Sequence, residues 1–239
     1  MEMKKTALHY HKTTTHNFYD ITMCPLIKIC GITRAEDVVI CAEYGADILG
    51  FVVDYPKPVP WNLNVEQAKE LIAGVPAGVK TCVVTGGSAE KIIRLAREIK
   101  PDFMQLHYKE TPQDVAEIVE ELSDTDVKVI KFLPVDGENL TELAVAYEQT
   151  GCYALLYDPR NPDTAHEGGK ADVSAYLKLK EAVKCPVILA GGITPCNVAE
   201  LISQAKPPII DLMTGVEKTH GVKDEEKVKM LFSKQLWQQ

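Results

Sequence analysis

No stretch of this 239-residue sequence approaches the roughly 18–20 consecutive apolar residues of a membrane span. The first 25 residues are polar, rich in Thr and His, and hold no apolar core of the kind a secretory leader requires. Cys-x-x-Cys is absent: the seven cysteines are odd in number and scattered, which argues against a disulfide framework or a structural zinc site and points to a reducing cytoplasm. No Gly-x-Gly-x-x-Gly opens a helix after the first apolar run, and no Gly-x-x-x-x-Gly-Lys-Ser/Thr occurs, so dinucleotide and nucleoside triphosphate sites lack support. A basic stripe is also missing. With 26 Lys and Arg against 34 Asp and Glu the net charge is −8, which removes any global attraction for nucleic acid or anionic membrane while leaving room for a local phosphate pocket.

What is present is one pattern repeated eight times: a short β-branched apolar run, a Gly/Pro/polar loop, then an amphipathic stretch. The runs are Leu26–Ile29, 48–53, 79–84, Phe103–Leu106, 127–133, Ala154–Tyr157, 187–190 and Ile209–Leu212. Short and continuous, they suit parallel strands buried on both faces. Helical spacing follows at 34–44, 65–72, Ala89–Ile99, 112–122, 139–149, 173–183, 196–203 and 224–232. Ser88 is placed to cap the third helix, Pro112 to open the fourth, and Gly45 to stop the first. Eight βα units predict an α/β fold of one domain, a closed (β/α)8 barrel over residues 25–239, with an open doubly wound sheet as the alternative. Residues 1–24 are read as an extension, and His9, His11 and His16 as part of a solvated tail rather than a metal site.

A barrel of this kind builds its site at the C-terminal ends of its strands. Lys28 and Cys30 share a face at the end of the first strand, where a thiol beside a cation gains acidity and serves as base or nucleophile; the alternative is a small buried core residue. Asp158 ends the sixth strand, either as a general acid or as a turn residue before Pro159. The loops after strands 7 and 8 carry Gly191, Gly192, Thr214 and Gly215, glycine-rich as backbone approach to a phosphate requires, and Gly169 with Lys170 adds to them from the loop after strand 6. Cys41, Cys82, Cys152 and Cys185 fall in helices, in mid-strand or on the opposite rim and are read as structural.

Lys28-Ile29-Cys30-Gly31-Ile32-Thr33-Arg34, Gly45-Ala46-Asp47, Leu49-Gly50-Phe51, Gln105-Leu106-His107, Leu189-Ala190-Gly191-Gly192-Ile193 and Thr214-Gly215-Val216-Glu217, followed by Gly221-Val222-Lys223-Asp224, resemble phosphoribosylanthranilate isomerase of tryptophan biosynthesis. The resemblance runs from about Leu26 to the C-terminus. It implies a TIM barrel and an aldose–ketose isomerase performing an Amadori rearrangement, with Cys30 as general base, Asp158 as general acid, no metal and no organic cofactor. It further implies a small phosphorylated substrate, no nucleic-acid or membrane partner, a monomer or homodimer, and substrate contacts from Lys28, Lys57, Gln105 and His107 beside the glycine loops. Three stretches depart from the family. Residues 54–62 contain no arginine where the family carries Ser-x-Arg, leaving Lys57 as the cation; Gly-Gly-Thr-Gly after strand 6 becomes Glu167-Gly168-Gly169-Lys170; and Tyr108 follows His107 where glycine is usual. These changes fall in loops that hold substrate, so a paralogue acting on another phosphorylated aminosugar, or a barrel that binds a phosphometabolite without turnover, stands beside the isomerase.

Overall fold

The computed structural model describes residues 24–134, 139–159 and 172–233. Eight strands, β1 (Leu26–Ile29), β2 (Ile48–Val52), β3 (Lys80–Thr85), β4 (Phe103–Leu106), β5 (Lys128–Leu133), β6 (Ala154–Tyr157), β7 (Val187–Leu189) and β8 (Ile209–Leu212), alternate with eight helices. These are α1 (Ala35–Tyr44), α2 (Val65–Ala73), α3 (Ala89–Ile99), α4 (Pro112–Glu121), α5 (Leu140–Glu148), α6 (Val173–Ala182), α7 (Val198–Ala205) and α8 (Glu225–Leu231). Every strand is parallel to both neighbours and β1 pairs with β8, so the sheet closes and the open doubly wound alternative is ruled out. The expected extension, with its three histidines, lies outside the described residues except for the exposed Cys24.

Alternation along each strand divides the core in two. Cys30, Val52, Val84, Phe132, Leu156 and Ala190 pack inside the barrel, whereas Ile29, Phe51, Val83, Leu133, Leu155 and Leu189 pack outward against the helices. This two-sided burial is why the runs carry apolar residues continuously instead of alternating with polar ones.

The helix signals hold where a side chain closes a turn. Ser88 accepts from the Lys91 N–H, Pro112 occupies the first turn of α4 behind a Thr111–Asp114 capping box, and Gly45 ends α1 at φ 116°. Helix α7 begins two residues later than its sequence pattern predicts. Asn197 explains this: its side chain accepts from the Thr194 N–H at 2.8 Å and donates to the Gly192 carbonyl at 3.0 Å, fixing 194–197 as a turn before the helix begins. After β8 the chain makes one tight turn over Thr214–Val216 and then a hairpin, β9 (Glu217–Thr219) with β10 (Val222–Lys223). Strands of three and two residues are too short to show a period, and the sequence pattern gives no sign of them. Among the described residues no helix is long and apolar enough to cross a membrane.

Candidate active site

The register of β1 against β8 sets Lys28 opposite Asp211, both inside the barrel, and the Lys28 ammonium donates to Asp211 Oδ2 at 2.8 Å. Two residues along the same face, Cys30 rises above this pair and lines a cavity of about 890 Å³ at the C-terminal ends of the strands. Gly50, its neighbour on β2, makes the space: a Cβ there would come within 2.8 Å of the Cys30 Sγ. Lys28 itself does not line the cavity. The expectation that its charge would face the phosphate gives way to a buried ion pair in which only the Asp211 side reaches the cavity floor.

Burial pushes the Cys30 thiol above its ordinary value. The Lys28 and Lys223 ammonium groups pull it back down, but burial with the adjacent Asp211 outweighs them. The acidity expected from a neighbouring cation is therefore only a partial correction, and the resting thiol holds its proton. Burial by itself would favour a neutral Lys28, yet Asp211, Cys30 and Cys82 together hold its ammonium far above the usual lysine range.

Asp158, at the mouth of β6, lines the same cavity and is buried. Gly191 sits against it at φ 95°, and a Cβ at that position would lie 2.5 Å from Asp158 Oδ1. Only glycine takes this backbone conformation and leaves room for the carboxylate. The loops after β7 and β8 also require a glycine at their contact, because a Cβ on Gly215 would lie 1.9 Å from the Ile193 carbonyl oxygen. Gly192, at φ 62°, and Thr214 line the cavity next to them.

On β4, Gln105 Nε2 lies 3.2 Å from His107 Nδ1. An amide nitrogen donates, so Nδ1 is the acceptor in this contact. The His107 ring stacks on Phe132 at 4.1 Å and 20°. Lys57 lines the cavity from the loop after β2. Cys30, Asp158, Lys57, Gln105, His107, Gly191, Gly192, Thr214 and Gly215 thus face one space; Gly169 and Lys170 lie outside the described residues.

Several supporting groups escape a reading by motif. Lys223, on β10, donates to the Cys30 carbonyl at 2.6 Å and to Glu217 at 2.8 Å. Glu217 in turn accepts from the Trp61 indole at 2.7 Å. Behind β4 and β5, Lys131 pairs with Glu110 at 2.6 Å with both side chains fully buried, and Glu110 also accepts from the backbone N–H of Gly87 and of Tyr108. A signal existed for Lys131 here and for Asp211 of the floor pair. Asp211 and Lys131 are charges within apolar strands buried on both faces, a placement that demands a partner.

Comparison with known proteins follows the same lines. A family model described as N-(5'phosphoribosyl)anthranilate (PRA) isomerase matches residues 27–234. The N-(5'-phosphoribosyl)anthranilate isomerase of Methanopyrus kandleri is 36% identical over 210 residues, covering 84% of this chain and 94% of that protein. The phosphoribosyl anthranilate isomerase of Thermotoga maritima superposes with a TM-score of 0.75 at 31% identity, covering 87% of this chain and 97% of that one. A phosphoribosyl anthranilate isomerase solved in complex with reduced 1-(o-carboxyphenylamino)-1-deoxyribulose 5-phosphate gives 0.73 at 30% identity, with coverage of 87% and 97%.

Proposed function

The chain belongs to the family of N-(5'-phosphoribosyl)anthranilate isomerases, and we propose that Cys30 and Asp158 carry the two proton transfers of that family's reaction. The reaction converts N-(5-phosphoribosyl)anthranilate, an aminoaldose, into 1-(2-carboxyphenylamino)-1-deoxyribulose 5-phosphate, a step of tryptophan biosynthesis. Asp158 donates a proton to the furanose ring oxygen as the bond from C1 to that oxygen breaks. The amine lone pair fills C1, giving an iminium. Cys30, as thiolate, then takes the C2 proton; the C–H electron pair becomes the C1=C2 bond and the iminium π pair returns to nitrogen. Gain of a proton at C1 and loss of the C2 hydroxyl proton complete the ketose. Oxidation at C2 is matched by reduction at C1, so the substrate's own iminium is the electron sink and the balance needs no external oxidant.

One observation carries the assignment: a buried thiol and a buried carboxylate, from strands three apart in the closed ring, open into one cavity rimmed by glycine loops. The phosphate is assigned to the loops after β7 and β8, with Gly191, Gly192, Thr214 and Gly215, joined by Gly169 and Lys170 from the loop after β6. Gln105, His107 and Lys57 face the rest of the substrate. Residues 25–239 act as one catalytic unit in this reading, with 1–24 as an appendage. All seven cysteines are free thiols, which supports a reducing cytoplasm as the working compartment.

The test is direct assay of purified protein on authentic substrate, with Cys30→Ala and Asp158→Asn alongside. The parent protein is expected to consume it, and each variant to lose roughly 10²- to 10⁴-fold in kcat. An inactive parent would overturn the reaction, and an active Cys30→Ala protein the role of the thiol.

A further inference from the structure

The substrate's amine nitrogen is attached to C1, one bond from the C2 whose proton Cys30 removes, and carries the substituent on its other side. If the thiol reaches that proton, the substituent lies within a few ångströms of Cys30 as well. The group standing there is Trp61, from the loop after β2. Its ring packs over Gly31, the residue following Cys30, so closely that a Cβ on Gly31 would meet Trp61 Cδ1 at 2.9 Å. Trp61 lines the cavity and is half-buried. Its indole N–H is already committed to Glu217, itself held by Lys223. The His220 ring already packs against the indole at 5.2 Å and 59°, so what the side chain can offer a ligand is the remaining flat apolar face at a fixed tilt. Tyr55, from the same loop, lines this part of the cavity, and no arginine does among the described residues.

We propose that Trp61 reads the amine substituent, selecting a planar ring by stacking, and that Glu217 is a positioning residue that sets the plane of the indole. This rests on the isomerase reading for the placement of C1, and it extends that reading to a specificity determinant. A planar face fixed by a charge-assisted hydrogen bond stacks on an aryl group with little loss of side-chain freedom. Selection then rests on the plane of the ring rather than on a bidentate grip on its carboxylate.

Two measurements test this. In a Trp237→Phe background Trp61 is the single tryptophan. Reduced 1-(o-carboxyphenylamino)-1-deoxyribulose 5-phosphate is expected to quench its fluorescence, and ribulose 5-phosphate, which has no aryl group, is not. In steady state, Trp61→Ala should raise KM for phosphoribosylanthranilate about three- to ten-fold while changing kcat less, with Trp61→Phe recovering most of the loss. Glu217→Gln, which keeps an acceptor for the indole, should behave closer to the parent than Glu217→Leu. Equal quenching by both ligands, or a Trp61→Ala protein that loses kcat at unchanged KM, overturns the proposal; the second pattern marks Trp61 as a mere prop for Cys30. Turnover without quenching overturns the proposal and leaves the isomerase standing. Quenching by the aryl ligand in a protein that turns nothing over upholds Trp61 and sinks the reaction, and absence of both removes both. Trp61→Phe, which preserves ring packing on Gly31, keeps the test decisive if Trp61→Ala fails to fold.

Discussion

As the base proposed above, Cys30 has to lose a proton before it can act. Its surroundings withhold charge from the thiol and keep two ammonium groups ready for the moment charge develops: Lys28 on the side chain and Lys223 on the backbone carbonyl. Because burial holds the thiol above its ordinary value, the thiolate fraction at neutral pH is small and grows with alkalinity. Alkylation of Cys30 by iodoacetamide, followed by mass spectrometry in a background with the exposed Cys24 and Cys196 replaced by Ser, should keep accelerating past pH 9 instead of levelling where an ordinary thiol does. A plateau near the ordinary thiol value would show that the lysines, not burial, dominate the site. At this scale the sequence was partly legible. That Cys30 and Asp158 line one cavity is readable from their places at strand ends, but the sign of the thiol's shift is not, because it depends on how many groups converge on a point from elements far apart in the chain.

The eight strands and eight helices are legible because local period and two-sided burial are written into consecutive residues. The exceptions are also physical. Helix α7 starts late because one asparagine satisfies the preceding turn, and the β9–β10 hairpin is too short to show a period. The Lys131–Glu110 pair is the element-scale counterpart of the floor pair. It ties β5 to the loop after β4, where the Lys131 ammonium also donates to the Tyr108 carbonyl at 3.1 Å and Glu110 accepts from the Tyr108 N–H. Burial pulls the Lys131 ammonium below the usual lysine range, with Glu110 holding it back up. Glu110→Ala strands that cation, and the expected loss is about 3–5 kcal/mol in urea unfolding. Lys131→Met combined with Glu110→Leu should lose much less. A single variant as mild as the double would mean that water replaces the carboxylate.

Three buried ion pairs, Lys28–Asp211, Lys131–Glu110 and Lys223–Glu217, share one property at the scale of the whole molecule: each is internally neutral. The net charge of −8 is thus not offset by buried lysines waiting for an anion. In the proposed reading phosphate binding therefore falls to loop backbone and to rim cations such as Lys57, which lines the cavity. The interior also fixes the direction of pH dependence. Burial pushes Cys41, Cys82, Tyr147 and Tyr157 each up to about 12, whereas in the unfolded chain these groups ionise near 8.5–10. Between those limits the folded protein retains protons that the unfolded chain has lost, so stability falls as pH rises. The raised Lys28 acts in the same sense and the lowered Lys131 in the opposite one. The urea midpoint at pH 10.5 should lie below that at pH 8; an equal or higher midpoint would contradict the burial of these groups.

The floor pair joins residues 183 positions apart, and the bond from Lys223 to the Cys30 carbonyl spans 193. During synthesis β1 is the first strand to be made, yet its partner β8 and the lysine that steadies its last residue are nearly the last. Cys30, the proposed base, is therefore among the earliest parts of the site to leave the ribosome, while the contacts that hold it, from Asp211 through Lys28 and from Lys223, are completed among the last. Closure of the ring by β1 and β8 thus ties assembly of the proposed site to nearly the whole length of the barrel.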